Sequence, residues 1–323
     1  MIDATDNHIF NGYASCPDKS RVHNAHLVDN QRLWMQQSEQ IIREFIQALS
    51  SFENFYEAYA FLAKKRHDVA VLLQHKSDEG KTDYYGVFRN EDSHFRQNIS
   101  FGDGEHFWKW QKKKIFELTR ALISPQCFFE DEYKTCLKES VTVDNMQGIY
   151  YCVTIKIPQN DEFRHMHQTN TLSTIELYEF VDRPNSDLIR IEYAPVNHDV
   201  MKGYYQILNH YYQRLLNWRR EDGIEKYFVN AAKLSFLLAH ILPIRQGNSA
   251  VVEWMVRAIA FKNGLEIGFF NLAEDISWDF KAILTPNQQD YIDWYVKKLF
   301  VGNALVDKKD ASRLFTFKRP VSE

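Results

Sequence analysis

Residues 231–267 constrain the fold of this chain more than any other part of its sequence. Almost every residue is apolar in the stretch that ends near Ile241, and again in the stretch that follows the short loop at residues 243–248. The second stretch closes at Asn263-Gly264, a pair that commonly ends a helix because glycine adopts the left-handed conformation without strain. A helix that is apolar on all sides is buried. The segment therefore predicts two core helices joined by a tight loop.

The chain is poor in the residues that interrupt helices. It has 12 glycines and 8 prolines among 323 residues, about half of the average usage of each. This shortage favours long helices, and it disfavours propellers, sandwiches and glycine-rich nucleotide-binding folds. Hydrophobic residues make up 45% and charged residues 25% of the sequence, as in an ordinary folded protein.

Charge and hydropathy exclude several classes of function. The formal net charge is −4, so we expect no nucleic-acid partner, because dedicated nucleic-acid-binding proteins carry a strongly basic face. No uninterrupted apolar run approaches the roughly 18 residues of a transmembrane helix, so we expect no membrane span. Residues 1–10 show no leader-peptide pattern, and the 4 cysteines show no C-x-x-C spacing. The cysteine pattern favours a reduced cytosolic setting.

Apolar periodicity predicts helices in the first part of the chain. Residues 31–66 carry apolar side chains at steps of three and four, with an expected break at Ser50-Ser51. Residues 106–123 predict a further helix. Between them, residues 68–75 and 83–89 are rich in β-forming side chains and flank a polar turn, which predicts a β-hairpin.

The middle of the chain has a different pattern. Residues 148–157, 172–181 and 188–196 predict three strands, and the short connections between them predict an antiparallel meander. The helical pattern then returns near residues 199–220, 225–241, 249–263 and 287–300.

These patterns predict an α+β fold, dominated by helices, with a small antiparallel sheet inserted between helical parts. Four regions are expected in sequence order. They are a polar N-terminal arm at residues 1–30, a helical region with the hairpin at 31–141, the antiparallel strands at 142–198, and a helical region with the loop at 199–323.

The loop at residues 243–248 lies at the N-terminus of the second core helix. Unpaired backbone N–H groups and the positive end of the helix dipole make this position an anion site. Gly247 allows close approach of the backbone to a ligand, and Arg245 can add a guanidinium. With Asn248 and Ser249 they form the predicted cofactor-binding set. Alternatively, the loop is purely structural and Asn248 is the N-cap of the second helix.

Residues 242–250 read L-P-I-R-Q-G-N-S-A. This run and the two core helices around it resemble the Fic family of nucleotidyl transferases, whose pattern is H-P-F-x-x-G-N-G-R. The resemblance implies that Pro243 and Ile244 anchor the loop. It also implies that Gly247 and Asn248 frame the nucleotide phosphates and a metal, so that ATP with Mg²⁺ would be the cofactor. The residues by themselves leave the cofactor unknown.

The two residues that carry the chemistry of the family pattern are replaced. Leu242 stands where the family has its catalytic histidine, and Ala250 where it has a phosphate-binding arginine, so AMP transfer by the usual route lacks its base. His240 is close by, but two positions along a helix turn a side chain by roughly 200°. Glu253 and Arg257 are a prominent polar pair in an apolar helix. With His240 they are the candidate catalytic residues, although an ordinary i,i+4 ion pair is the alternative.

The composition as a whole is similar to that of effector proteins that Legionella-type bacteria deliver into host cells by type IV secretion. That similarity implies a protein made in the bacterial cytoplasm and secreted into the host cytosol, with a host protein as its partner. The first hypothesis is an effector that binds a nucleotide or another anionic group at the loop. It would then modify a host protein as a Fic-like transferase or a degenerate relative.

The alternative hypothesis is a non-catalytic effector that binds a host protein through a helical aromatic surface. Tyrosine and tryptophan dominate the binding energy of many interfaces. The residues expected to form this surface are Tyr204, Tyr205, Tyr211, Tyr212 and Trp218. The sequence therefore leaves open whether the chain is an enzyme; if it is, we expect a transferase that acts on a host protein.

Overall fold

The computed structural model has the expected α+β fold, in which helices dominate. It describes residues 25–73, 82–90, 97–100, 112–123, 132–143, 146–157, 161–166, 170–180, 189–195 and 198–306. Most of the predicted N-terminal arm therefore lies outside the described residues.

The first apolar stripe forms two helices, as predicted. Helix α1 (Ala25–Ala48) is followed by a 3₁₀ turn (Leu49–Ser51) at the expected break, and α2 (Phe55–Leu72) begins after it. Asn54 ends the break because its Oδ1 accepts a hydrogen bond from the backbone N–H of Glu57, at 3.1 Å. This N-cap satisfies one of the donors that a helix start leaves unpaired.

The predicted hairpin is wrong. Residues 68–72 continue α2, with Val69 and Ala70 buried on its inner face. A short apolar run fits a strand and a buried helical turn equally well, and here packing of the helix decides between them. Residues 74–81 lie outside the described part. Residues 82–90 contain a 3₁₀ turn (Thr82–Tyr84) and an extended strip that runs beside the 243–248 loop.

The sheet has five antiparallel strands in the order β1-β5-β4-β3-β2. The predicted meander is confirmed as β3, β4 and β5, whereas β1 and β2 were not predicted. Strand β2 crosses the region boundary expected between residues 141 and 142. The strands are β1 (Gln97–Ser100), β2 (Lys134–Val143), β3 (Met146–Lys156), β4 (Thr171–Phe180) and β5 (Ile189–Pro195), and helix α3 (Lys112–Leu122) precedes β2.

The two core helices are confirmed as the centre of the molecule. Helix α5 (Ile224–Ile241) is buried over its C-terminal half, and α6 (Asn248–Lys262) is buried on all sides from Ala250 to Ala260. Helix α6 contacts α1, α2 and α5, and also α4 (His198–Leu216). Strand β4 contacts α5, which joins the sheet to the helical core.

The C-terminal part adds small elements around α6. The predicted helix at 287–300 is confirmed as α8 (Gln288–Trp294), which continues as a π-helix (Tyr295–Leu299). The elements that were not predicted are β6 (Leu265–Glu266), β7 (Phe269–Phe270), α7 (Trp278–Ile283), β8 (Phe300–Val301) and β9 (Ala304–Leu305). Within the described ranges, no helix combines the length and apolar character needed to cross a membrane.

The aromatic surface predicted on α4 and at Trp218, just after its end, is wrong, because most of it is part of the core. Helix α4 packs against both α2 and α5, which cover the side that carries these rings. Tyr205 alone among the five is half-buried. The exposed fractions of the other four are 1% for Tyr204, 1% for Tyr211, 0% for Tyr212 and 4% for Trp218.

Candidate functional site

The predicted loop between α5 and α6 has an unusual backbone. Leu242 has a φ of 40° and Gly247 a φ of 88°, so two residues in the left-handed region turn the chain between the helices. Arg89 stabilises the C-terminal end of α5: its Nε donates to the carbonyl of Leu242 at 2.7 Å, and its Nη2 donates to that of Ile241 at 2.6 Å. A cation at this end of a helix also interacts favourably with the helix dipole.

The strip forms backbone hydrogen bonds with the loop through residues 85–89. The N–H groups of Gly86 and Arg89 donate to the carbonyls of Gln246 and Pro243, each at 3.0 Å. The N–H of Arg245 donates in return to the carbonyl of Val87, at 2.9 Å. These bonds hold the loop in place and leave fewer of its backbone groups for a ligand.

The space beside Gly247 is filled by the side chain of Arg66. A Cβ atom at this position would lie 2.7 Å from both Cγ and Nε of Arg66. The guanidinium of Arg66 lies between two rings, 4.8 Å from the centre of Trp34 and 4.2 Å from that of Tyr85. Burial lowers the pKa of Arg66 to about 10, while Tyr85 opposes that shift. Arg66 thus occupies the space that the sequence had suggested for a ligand.

Asn248 is bound by two protein groups. Its Oδ1 accepts a hydrogen bond from the Tyr59 hydroxyl at 2.6 Å, and its Nδ2 donates to the carbonyl of Leu238 at 2.9 Å. The side chain is buried and makes no N-cap hydrogen bond; the N-cap of α6 is Gly247. Asn248 therefore ties α6 to α2 and α5.

The two remaining residues of the predicted cofactor set also have protein partners. The Ser249 hydroxyl donates to the Asp279 carboxylate at the start of α7. The guanidinium of Arg245 lies 5.0 Å from the centre of the Tyr84 ring, and its Nη2 donates to Oδ1 of Asn90 at 3.3 Å. With Asn248 bound on both sides, this arrangement does not fit ATP and Mg²⁺ held as the Fic resemblance implies.

His240 is fully buried between β4 and α7. Its Nε2 lies 3.2 Å from the carbonyl of Ala282, and a carbonyl only accepts, so Nε2 carries the proton. Nδ1 accepts from the Ser173 hydroxyl at 2.8 Å. Burial lowers the pKa of His240 to about 3, although the Ala282 carbonyl acts in the opposite direction. The ring is neutral at physiological pH, and both nitrogens are engaged.

Glu253 and Arg257 form the buried ion pair that the spacing allowed. Arg257 Nε donates to Glu253 Oε1 at 2.8 Å, and Arg257 Nη1 donates to the carbonyls of Ile267 and Gly268 at 2.8 and 3.0 Å. The adjoining cavity, of about 10 Å³, has room for one water molecule and none for a substrate. The pair joins α6 to the β6–β7 segment, as expected for a structural contact.

The predicted residues thus fall into three separate surroundings. The loop set contacts α2, the strip and α7; His240 contacts β4 and α7; and the ion pair contacts the β6–β7 segment. Across the part of the chain that the structure describes, no group of three or more His, Cys, Asp and Glu side chains is arranged to hold a metal ion. Sequence reasoning missed Tyr59, Arg66 and Arg89, since their positions are remote from the loop in sequence.

A second candidate site includes two residues of the strip, Phe88 and Arg89. It is a groove of about 330 Å³, within the lower range of ligand-binding cavities. We call it the aromatic groove, and it is lined by Tyr56, Phe88, Arg89, Met201, Lys202 and Tyr205.

Packed rings form the walls of the aromatic groove. Tyr56 lies 5.4 Å from Phe88 and 5.1 Å from Tyr205, measured between ring centres, and it meets Tyr205 edge to face. The ring centre of the buried Tyr59 lies 5.9 Å from that of Phe88. The Tyr56 side chain is 46% exposed, whereas Met201 at the base is 1% exposed. The groove is therefore open, aromatic and backed by the core.

Only part of the aromatic groove had a signal in the sequence. Tyr205 belonged to the aromatic set on α4, and Tyr56 to the apolar stripe of α2. Phe88 and Arg89 come from the strip that the sequence had suggested was a β-strand. No protein-family model matches the chain, and comparison with curated proteins gives no match.

Proposed function

We propose that this chain acts by binding a partner protein rather than by catalysis, and that the aromatic groove is its binding site. The observation that carries the proposal is an open groove with aromatic walls, in which Tyr56 remains 46% exposed beside two other rings. Tyrosine rings offer a large contact area at a low cost in conformational entropy. They are also enriched among the residues that dominate binding energy.

The contacts of the predicted catalytic residues support binding over catalysis. Both ring nitrogens of His240 are engaged with protein groups. Glu253 and Arg257 bind each other beside a cavity of water size. A general base needs hydrogen-bond access to its substrate, and these arrangements offer none.

The nature of the partner rests on the composition. Its similarity to type IV secretion effectors supports a host protein as the partner, reached after delivery from the bacterial cytoplasm into the host cytosol. The groove then replaces the buried α4 rings as the aromatic surface of the alternative hypothesis.

A Fic-like transferase is the competing proposal. One observation favours it: the loop joins two buried helices, with Gly247 in the left-handed conformation at the start of α6. Thermal unfolding with ATP and Mg²⁺ tests it, on the wild type and on Arg245→Ala. We expect no stabilisation. A ligand at 100 times its Kd adds about 2.7 kcal/mol, so a shift of that size that Arg245→Ala removes would favour the transferase.

The binding site itself is tested by methyl NMR. The chain has 6 methionines, so a spectrum of ¹³C-methyl methionine is simple, and Met201 lies in the groove. The probe is the peptide acetyl-Gly-Gly-Phe-Gly-Gly-amide at millimolar concentration. We expect a saturable shift of the Met201 signal and none of Met255, which is buried in α6.

Two variants sharpen this test. Tyr56→Ala removes one wall of the groove at an exposed position, so it should abolish the Met201 shift while leaving thermal stability nearly unchanged. Tyr150→Ala, on strand β3, is the matched control and should bind like the wild type. The proposal is contradicted if Met201 does not respond to the peptide, or if Tyr56→Ala responds as strongly as the wild type.

A further inference from the structure

We propose that the turn at Leu242 is a strained switch, and that a ligand in the aromatic groove stabilises its strained form through Arg89. This inference rests on the proposed function and concerns the regulation of the same site. The switch has two forms. In the closed form, which the structure has, the strip is paired with the loop. In the open form Leu242 is relaxed and the strip has left the loop.

Leu242 carries the strain. Its φ of 40° and ψ of 74° place a leucine in the left-handed region, and its side chain is only 8% exposed. A residue with a Cβ atom disfavours this conformation, by roughly 5- to 30-fold in population. Residues stay in such conformations only where the surrounding structure holds them there.

Arg89 holds Leu242 in this conformation. Its guanidinium donates to the carbonyl of Leu242 at 2.7 Å and to that of Ile241 at 2.6 Å. Hydrogen bonds from a charged donor are stronger than those between neutral groups. Rotation of Leu242 out of the left-handed region reorients its carbonyl and breaks the bond to Arg89 Nε. The strain favours the open form, and the bond to Arg89 favours the closed form.

The wall of the aromatic groove is attached to the loop at two further points. Phe88 forms a β-bridge with Ile244, and the backbone N–H of Arg89 donates to the carbonyl of Pro243 at 3.0 Å. Phe88 and Arg89 both line the aromatic groove. Release of the strip from the loop therefore takes two residues out of the groove lining.

These contacts link the occupancy of the groove to the form of the turn. A ligand that needs the complete wall binds only the closed form. It therefore shifts the equilibrium towards that form by a factor of one plus the ratio of its concentration to its Kd. Linkage is reciprocal, so opening of the turn weakens binding in the groove by the same coupling. The loop thus responds to the partner although the partner does not contact it.

Hydrogen exchange of two backbone amides measures the opening. The N–H groups of Arg89 and Arg245 donate across the contact between strip and loop, to the carbonyls of Pro243 and Val87. They exchange with solvent when this contact opens. The probe is again acetyl-Gly-Gly-Phe-Gly-Gly-amide, and exchange is followed by NMR. At ten times its Kd, we expect the peptide to slow the exchange of both amides about tenfold.

The control amide belongs to Val306, next to the two-residue strand β9. It donates to the carbonyl of Gly264 at 3.0 Å, and we expect it to exchange by local opening of this short pair. The peptide should leave its rate unchanged. Slowing of the Val306 amide by the same factor would refute the coupling, because it would show a general stabilisation of the protein.

Two substitutions at residue 242 isolate the strain. Leu242→Ala and Leu242→Gly both remove the apolar side chain, but only glycine adopts the left-handed conformation without strain. Without peptide, the amides of Arg89 and Arg245 should exchange about fivefold more slowly in the glycine variant than in the alanine variant. Equal rates in the two variants would refute the strained switch.

The outcomes separate the inference from the proposed function. If the peptide shifts the Met201 signal but does not slow the amides of Arg89 and Arg245, the coupling is refuted while the groove remains a binding site. If the peptide moves neither the Met201 signal nor the two amides, both proposals fail.

Discussion

The hydroxyl of Tyr59 on α2 donates a 2.6 Å hydrogen bond to Oδ1 of Asn248 at the start of α6, across 189 positions of sequence. Both side chains are buried. The bond connects the N-terminal helices to the central loop, and it accounts for an asparagine that the sequence had suggested was a ligand.

Replacing Tyr59 by Phe should destabilise the protein by about 1–3 kcal/mol, because it leaves a buried acceptor on Asn248 without this donor. Urea unfolding measures the loss. Tyr56→Phe, at an exposed position on the same helix, is the control and should cost less than about 0.5 kcal/mol. Equal stabilities of the two variants would contradict a structural role for the bond.

Replacing Gly247 by Ala should cost more than the strain of a left-handed alanine. That strain is about 1–2 kcal/mol, and the clash with Arg66 should add about 1–3 kcal/mol for overpacking. Gly302→Ala is the control, because Gly302 has a φ of 79° but nothing within 4 Å of an added Cβ. Each variant loses some free energy of unfolding relative to the wild type, and the difference between the two losses measures the cost of the clash with Arg66. A difference near zero would show that the clash costs nothing.

His240 should make the stability depend on pH. Its pKa is about 3 in the folded protein and 6.5 in the unfolded chain. Between these values the unfolded state binds more protons, so stability falls as pH falls, by about 1.4 kcal/mol per pH unit from this group. Urea unfolding at pH 7, 6 and 5 measures the slope. His240→Gln should reduce it, and an unchanged slope in that variant would contradict the assignment to His240.

Glu253 and Arg257 should be coupled in stability. Removing one partner of a buried ion pair typically costs about 3–5 kcal/mol, because the other charge is left unpaired. We expect a loss of this size for Arg257→Met. The double variant Glu253→Leu/Arg257→Met should lose at least 1 kcal/mol less than the sum of the two single variants. Strict additivity would show that the pair is not a unit.

The helices were the most predictable part of the fold. Residues 231–267 specify two buried helices because their apolar character exceeds what a surface helix needs, and the Asn263-Gly264 stop marks the end. The same reasoning wrongly predicted a strand at residues 68–72, because a short apolar run does not contain enough periods to distinguish a strand from a helix. Strands β1 and β2 were not predicted, because β1 is short and β2 (Lys134–Val143) carries exposed polar residues along an edge of the sheet.

The sites were less predictable than the fold for a different reason. Sequence reasoning identified the 243–248 loop and the Glu253–Arg257 spacing, both of which are local patterns. It could not identify Tyr59, Arg66 or Arg89 as their neighbours, because those contacts form only after distant segments pack together. The aromatic groove combines residues from α2, the strip and α4, and no local pattern joins them.

The position of α6 has a consequence for synthesis. Helices α1 and α2 leave the ribosome long before Asn248 does, yet α6 is the element that covers Trp34 and Tyr59. Until it emerges, the nascent chain presents an aromatic face to the cell, and such surfaces favour aggregation or capture by chaperones. Closing contacts of this separation is also slow. A chain truncated before residue 248 would retain that uncovered face permanently.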